Sequence, residues 1–263
     1  MTANQAAAST APGTFAPRPG AAPLPRRIGA QTGMELRLTL RRGESVLLTL
    51  VIPVLMLIGL TTVKVIDVDG PRIDFFTPGI LALAIMSTAF TGQAISTGYE
   101  RQYGVLKRLG ASPLTRTGLL TAKTSAVLVL EVGQLAILAV VALLLGWSPH
   151  GSPFAGLALV LLGTAAFSGL GLLLAGTLRA EATLAGANLI WFLFLVSGGV
   201  LFPLTRFSTG VRETLSWLPL PALADGLRSV SQRGSALPGH DLLVLLLWAG
   251  VLIVAAASTF RWE

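Results

Sequence analysis

Long apolar runs separated by short polar segments set the pattern of this sequence. Six runs each approach or exceed the roughly 20 residues that an α-helix needs to cross a bilayer. They cover residues 45–63, 77–97, 118–145, 154–178, 184–202 and 242–260. The pattern therefore predicts an all-α, polytopic membrane protein with six transmembrane helices. An even number of spans places both ends of the chain on the same side of the membrane.

The chain before the first run has two parts. Residues 1–25 are rich in Ala, Pro, Thr and Gly and lack the continuous apolar stretch of a signal peptide, so a disordered tail is predicted. Residues 26–263 then form the membrane domain. Near its start four apolar residues alternate with polar ones, namely Met34, Leu36, Leu38 and Leu40. This period of two by itself predicts a strand, and a helix in the membrane interface is the alternative.

Two short amphipathic patterns lie between the fifth and sixth runs. Each has apolar residues at positions i, i+4 and i+7, which are Val211, Leu215 and Leu218 first, then Leu223, Leu227 and Val230. Pro219 and Pro221 separate them, so the pattern predicts two helices joined at a proline break, neither long enough to span a bilayer. They either dip into the outer leaflet, a depth that suits Trp217, or form a small structured outer loop.

Small residues in the fourth run occur at helix-packing spacing. Ala165 pairs with Gly169, and Gly171 pairs with Ala175, each four residues apart. Such pairs allow the backbones of two helices to approach closely. Chance spacing is the alternative, because glycine and alanine are common in this chain.

Composition strengthens the membrane assignment. Hydrophobic residues make up 53% of the chain and charged residues only 12%, whereas soluble domains have about 25% charged residues. The net charge of +7 does not indicate nucleic-acid binding, because the basic residues lie between apolar runs rather than on a soluble domain. We interpret them as topology signals and as contacts for anionic lipids. No cysteine is present, which excludes disulfides, thiolate metal sites and cysteine nucleophiles.

Lysine and arginine predict the orientation of the spans, because these residues are more frequent on the cytoplasmic side. With the N-terminus inside, thirteen basic residues fall in inner segments and six in outer segments. Both termini and the segment 100–116 are therefore expected in the cytoplasm. The expected location is the plasma (inner) membrane, as a multi-pass protein.

Motifs for enzyme chemistry are missing from the sequence. The tripeptide at 122–124 resembles the end of a nucleotide-binding P-loop, but Ala122 replaces the glycine that must precede the lysine. Asp67, Asp69 and Asp74 could bind a cation weakly, although a solvated turn around Asp69 is the better interpretation. We predict no catalytic, cofactor-binding or metal-binding residue.

Glu131 is the one ionisable residue deep inside a span. A charge at this depth costs about 2.5 to 3.5 kcal/mol, so the carboxyl group must face a partner, a cavity or water, or stay protonated. Gln134 lies three residues on and shares its helix face. The two residues could mark a substrate path. A hydrogen bond between helices is the alternative, and we favour it.

The polar segment between the second and third runs carries the most specific motif. Its fixed positions are Glu100, Arg101, Gly104, Leu106, Leu109, Ser112 and Pro113. In this position between two spans, the motif resembles the signature of ABC-2-type transporter permeases, close to the daunorubicin-resistance permease group. The resemblance covers about residues 26–263 and includes the stretch 219–228 before the last run. Val105 stands where the family often has threonine.

The resemblance implies a particular arrangement of helices. Members of the family have six spans with cytoplasmic termini and an amphipathic helix before the first span. A coupling helix lies between spans two and three, and a pair of re-entrant helices precedes the sixth. In this chain the coupling helix would fall within 100–116.

The resemblance also implies a function. Such a permease hydrolyses no ATP itself; a separate cytoplasmic ABC ATPase subunit would bind ATP and Mg²⁺ and dock on the coupling helix, and two copies of each subunit would form the exporter. A helix that transmits force needs charged groups that fix its register and apolar groups that seat in a groove of the partner, here Leu106 and Leu109. Glu100 and Arg101 could instead form a salt bridge that holds the end of the second span.

A secondary transporter or channel that works alone is the alternative function. That class predicts ionisable residues in several spans and internal repeats. Glu131 is the one such residue, and no convincing repeat is found. For the exporter, an apolar pathway with few charges favours hydrophobic or amphipathic cargo such as drugs, antibiotics or lipids.

Overall fold

The computed structural model describes residues 20–41, 43–63, 66–68, 70–233 and 237–259. Within these ranges every regular element is helical. In chain order the α-helices are α1 (Leu24–Arg41), α2 (Gly43–Thr62), α3 (Arg72–Met86), α4 (Gln93–Gln102), α5 (Val105–Gly110), α6 (Arg116–Leu144), α7 (Pro153–Thr177), α8 (Ala180–Ser197), α9 (Thr209–Ser216), α10 (Pro219–Arg233) and α11 (Gly239–Thr259). The prediction of an all-α protein is therefore confirmed.

Five helical segments of the described chain are long and apolar enough to cross a membrane. They are Arg72–Gln102, which joins α3 and α4, and the helices α6, α7, α8 and α11. A shorter apolar stretch, Thr49–Thr62, lies in α2. Each of the six predicted runs thus coincides with a helix, and the protein is a polytopic membrane protein. The crossing by α2, which would make the sixth span, stays a prediction.

The segment before α2 is helical, so the strand predicted from its alternating pattern is wrong. α1 packs along α6 and buries Glu35 there, while Met34 and Leu38 are 51% and 40% exposed. The alternation arises because a helix in a membrane interface can leave apolar side chains on its outer sides and bury a polar one. The helix begins at Leu24, inside the segment predicted as a tail; residues 1–19 lie outside the described residues.

The second span is continuous but changes its winding midway. Between α3 and α4, residues Ser87–Gly92 form a π-helix, whose wider turns contain more residues than α-helical turns. Such segments are frequent at functional sites. The extra residue rotates α4 relative to α3 by about 100°, and this rotation decides which side chains of α4 face α1 and α6.

Glycines of α7 bring two neighbouring backbones close, which confirms the small-residue prediction at two of its four positions. A Cβ atom at Gly171 would lie 2.8 Å from the carbonyl oxygen of Phe90 in the π-helix. A Cβ atom at Gly169 would lie 2.9 Å from the Cβ atom of Leu252 on α11. α7 is therefore the helix against which both the second span and the last span pack.

The two predicted short helices before the last span are present as α9 and α10. α10 begins at Pro219, as expected for a residue that favours the first turn of a helix. It packs against α3, α7 and α11, and its Leu220 and Leu223 are fully buried, whereas α9 buries no residue. α10 is thus inserted into the helix bundle, as a re-entrant helix would be, rather than lying on its surface.

Arg228 fastens α10 inside the bundle. Its guanidinium group pairs with Asp225 and donates to the carbonyl oxygens of Gly199, at 3.1 Å, and Phe75, at 3.3 Å. It also lies 4.2 Å from the centre of the Phe75 ring. These contacts compensate the charge, which is why an arginine counted only as a topology signal can be 14% exposed.

Candidate functional site

The chain between the second and third spans forms a short helix set between two sharp turns. Gly104 has a φ of +70°, a conformation that glycine adopts without strain, and it separates α4 from α5. After α5 the chain turns again, and the hydroxyl group of Thr115 accepts a hydrogen bond from the Gly118 backbone N–H at 3.0 Å, which caps α6. The helix predicted within 100–116 is therefore present over Val105–Gly110.

Leu106 is fully buried within this chain, so the prediction that it seats in a groove of a partner is wrong. Its cluster includes Leu119, Leu172 and Ala256, contributed by α6, α7 and α11. Leu109 packs against the same cluster and is half-buried. The physical reason is that a six-residue helix makes few contacts with the bundle other than those of its one apolar face. α5 therefore uses this face to stay attached to the spans.

The turn after α5 is closed by the other motif residues. The Ser112 hydroxyl group donates to the carbonyl oxygen of Leu109 at 2.6 Å and accepts from the Leu114 backbone N–H at 3.3 Å. The carbonyl oxygen of Pro113 accepts a hydrogen bond from the Arg27 guanidinium group of α1. Ser112 and Pro113 thus fix the position of α5 relative to α1 and α6.

The opposite side of α5 is exposed. Tyr103 and Val105 are 72% and 38% exposed, and Lys107, Arg108 and Ala111 are exposed as well. These residues form the surface that we call the α5 face. Sequence reasoning did not assign it, although Leu106 and Leu109, three residues apart, mark one side of a helix and leave the residues between them on the other.

Glu100 belongs to a buried ionic cluster that joins three helices. The ammonium group of Lys123 on α6 lies 2.6 Å from a carboxylate oxygen of Glu100 on α4 and 3.0 Å from one of Glu35 on α1. The Lys123 side chain is only 3% exposed. The side-chain amide of Gln31 donates to the other oxygen of Glu35 at 2.7 Å. The cluster fastens the end of the second span to α1 and α6.

Arg101 and Gln102 point to a different neighbour. The Arg101 guanidinium group donates to the carbonyl oxygen of Leu178, and the Gln102 amide donates to the carboxylate of Glu181 at 2.8 Å. Both acceptors lie at the junction between α7 and α8. The anchoring role considered for Glu100 and Arg101 is therefore supported, although the two residues contact different helices.

Sequence reasoning missed Glu35 and Lys123. Lys123 is interpreted above as an incomplete P-loop lysine and as one of the basic topology signals, yet its position inside a long apolar run already requires a charged partner. Glu35 is the one acidic residue in a basic amphipathic segment, which is the corresponding signal. Neither signal indicated which residue pairs with which, because the pairing depends on how α1 packs along α6.

The two polar residues of the third span have different environments. Glu131 is 1% exposed, and one of its carboxylate oxygens accepts a hydrogen bond from the Thr164 hydroxyl group of α7. This contact supports the favoured interpretation of Glu131 as a bond between helices. Gln134 accepts from the Thr88 hydroxyl group at 2.9 Å and donates to the carbonyl oxygen of Thr49 at 2.8 Å. It therefore ties the π-helix, α2 and α6 together.

A cavity of about 560 Å³ lies between α1, α2, α4 and α6. Gln134, Thr88 and Gln93 contribute polar groups to its wall, and Glu35 and Lys123 line it as well. Apolar side chains of α1, α2 and α6 form the rest of the wall. Of the two residues predicted for a substrate path, Gln134 lines this cavity and Glu131 does not.

Two of the three aspartates considered for a cation, Asp67 and Asp74, lie in the part of the chain that the structure describes. Asp69 lies outside that part. Within it, no group of three histidine, cysteine or acidic side chains is close enough together to hold a metal ion.

Residues 69–258, well over half of the chain, match the family described as ABC-2 family transporter protein. The matched region includes the α5 segment, the π-helix and the α9–α10 pair. No curated protein matches the chain. The helical architecture and the extent of the family match lead to one conclusion: the chain belongs to the ABC-2 transporter family.

Proposed function

We propose that this protein is the permease subunit of an ATP-driven exporter for hydrophobic or amphipathic molecules, drugs, antibiotics or lipids among them. Membership of the ABC-2 family makes the chain the membrane subunit of an ABC transporter. A separate ABC ATPase subunit supplies ATP and Mg²⁺ chemistry on the cytoplasmic side of the plasma membrane. Both termini and the α5 segment lie on that side, and α2 completes six spans. The resemblance to daunorubicin-resistance permeases supports the drug-like cargo.

The α5 face is the observation that carries this proposal. It presents two basic side chains on a short helix and an exposed tyrosine in the turn before it, and the buried side of this helix is fixed to the spans. In the proposed mechanism the ATPase subunit contacts this face, including Tyr103 and Arg108, through complementary charge and packing. Leu106, buried behind the face, and Glu100, paired with Lys123, then carry the movement into α6 and the second span.

A second copy of the permease completes the proposed exporter. α8 is the most exposed of the five long apolar segments, and its Leu189, Phe192 and Leu193 are each more than half exposed. In a membrane, such a face contacts lipid or another apolar helix. The proposed assembly has two permease subunits and two ATPase subunits.

Transport by the purified subunits tests the proposal. The permease is reconstituted in liposomes with and without its ATPase partner, and the movement of a fluorescent amphiphile is followed after ATP is added. We expect transport only when both subunits and hydrolysable ATP are present. Transport by the permease alone, driven by an ion gradient, would instead establish the secondary transporter.

A further inference from the structure

Gln93, the first residue of α4, is an unusual wall residue of the cavity between α1, α2, α4 and α6. Its side chain is 4% exposed, and neither its amide nitrogen nor its amide oxygen has a hydrogen-bond partner among the described residues. A buried amide without partners is unfavourable, by about 1–3 kcal/mol for each group left unsatisfied. The protein covers both atoms, so a molecule in this cavity that donates and accepts hydrogen bonds would remove that cost after the Gln93 side chain turns toward it.

The polar wall around Gln93 is already held in place. Gln134 is fixed by its bonds to Thr88 and to the carbonyl oxygen of Thr49, and all three residues line the cavity. Gln93 follows directly after the π-helix, so the change of winding brings it to this wall. Hydrogen bonds within the protein therefore fix Gln134 and Thr88 in the polar wall, whereas the Gln93 side chain has no such bond within the described part of the chain.

The remaining wall is apolar and open toward the surroundings of the bundle. Leu40 of α1, with Val129 and Ile137 of α6, lines the cavity, and these side chains are 53%, 51% and 43% exposed. On the outside of a membrane helix, such side chains contact alkyl chains. The volume of about 560 Å³ lies within the range for sites that hold drug-sized ligands. The cavity thus has a polar wall for a head and an apolar opening for a tail.

The charges in the wall restrict the head group further. The ammonium group of Lys123 is already paired with the carboxylates of Glu35 and Glu100. An anionic head would meet no uncompensated cation there and would lie near two carboxylates. The wall therefore favours an uncharged head that carries hydroxyl or amide groups.

We propose that this cavity, the Gln93 groove, binds one amphiphile with an uncharged hydroxyl- or amide-bearing head and an alkyl tail. The head bonds to the Gln93 amide, which turns toward the groove on binding, and the tail lies against the apolar side chains of α1 and α6. The ligand comes either from the surrounding lipid or from the cargo of the transporter. Binding itself requires neither an ATPase subunit nor transport, and only the cargo alternative rests on the proposed function.

Photo-cross-linking of the full-length protein in nanodiscs tests the proposal. The probe is a monoacylglycerol with a diazirine in its acyl chain, and the comparison probe is the corresponding free fatty acid, which is anionic at neutral pH. We expect the monoacylglycerol to label peptides within 126–137 of α6 more strongly than the fatty acid does. The Gln93→Leu variant should lose about fivefold or more of this labelling, as expected for one lost hydrogen-bonding group.

A second variant keeps the test valid if Gln93→Leu fails to fold. A Cβ atom at Gly133, which lines the groove, meets no atom within 4 Å, so Gly133→Phe fills the groove without displacing its wall. Matched controls are Gly250→Phe, also in open space on α11, and Gln232→Leu on α10. Labelling should be lost in Gly133→Phe and kept in both controls. Equal labelling of Gly133→Phe and the unaltered protein, or preference for the fatty acid, would overturn the proposal.

Two further measurements distinguish the sources of the ligand. If the ligand is a resident lipid, mass spectrometry of the purified protein finds a neutral lipid that Gly133→Phe lacks, while transport in the two-subunit liposomes is unchanged. If it is cargo, Gly133→Phe abolishes transport, and ATP turnover lowers cross-linking in the unaltered protein. Either outcome supports amphiphile binding in the groove. Failure of transport in all variants and in the unaltered protein would contradict the proposed function alone.

Discussion

Lys123 of α6 forms ion pairs with both α1 and the second span. Its ammonium group is buried between two carboxylates, so each of the three charges depends on the others. Removing one member of a buried ionic cluster is costly, because the remaining charges keep their desolvation penalty without the attraction that offset it. Here the loss of the lysine would leave Glu35 and Glu100 facing each other.

We predict that Lys123→Met lowers the free energy of unfolding by about 3–5 kcal/mol, the range for breaking a buried ion pair. The measurement is thermal unfolding in detergent, together with trypsin cleavage near α1 as a readout of its release. The triple variant with Glu35→Gln and Glu100→Gln removes all three charges and should recover most of the stability. A single variant as stable as the unaltered protein would show that the cluster does not hold α1.

At the scale of the element, α5 has two faces with different roles. Leu106 attaches the helix to the spans, and the α5 face is open to a partner. The sequence motif does not separate these roles, since Glu100, Gly104 and Leu106 fall in one short signature. The structure separates them by burial.

This separation predicts different failures for two substitutions. Leu106→Asp places a charge in a buried apolar cluster, so we expect lower thermal stability and loss of ATPase stimulation together. Arg108→Glu reverses a charge on the exposed face, so we expect at least about tenfold weaker binding of the ATPase subunit with unchanged stability.

Pull-down of the ATPase subunit and thermal unfolding give the two readouts. Arg212→Glu, the same change on the exposed helix α9, is the matched control and should leave binding unaltered. If Arg108→Glu bound the ATPase subunit as well as this control does, Arg108 would have no part in docking.

The elements themselves could be predicted from the sequence to different degrees. The spans and the α9–α10 pair followed from apolar periodicity, because a long apolar run or an i, i+4, i+7 pattern has few alternative structures. α1 did not, because Leu36, Leu38 and Leu40 face different surroundings on one helix. The π-helix could not be predicted either, since Ser87–Gly92 has no special residue pattern and packs closely against Gly171, which is distant in the chain.

The site was predictable in part. The sequence indicated several of its residues but not which of them contact each other. Glu100, Gly104 and Ser112 could be singled out from a local motif, and each has a definite structural role. Lys123 and Glu35 are 88 residues apart in the chain. Their contact depends on the packing of α1 along α6, which no local pattern specifies. Burial of Leu106 likewise depends on α7 and α11 closing behind α5.

At the scale of the whole molecule, we propose a helix bundle that an ATPase subunit moves from the end that carries α5. α5 lies between Glu100 and Lys123 in the chain, and α1 brings Glu35 to the same ionic cluster. The charge distribution predicts that the loop with the α9–α10 pair lies on the opposite side of the membrane. Docking of a cytoplasmic ATPase subunit requires that the α5 end face the cytoplasm.

Thiol labelling of two single-cysteine variants tests this claim most directly, because the chain has no cysteine of its own. Ala111→Cys lies beside α5 and Ser208→Cys lies before α9, and both positions are exposed. A membrane-impermeant thiol reagent should label Ala111→Cys in inside-out vesicles but not in intact cells, and bound ATPase subunit should protect it. Ser208→Cys should be labelled in intact cells, with no effect of the ATPase subunit. Labelling of Ala111→Cys in intact cells, or labelling in vesicles that a saturating ATPase subunit leaves unchanged, would contradict the account.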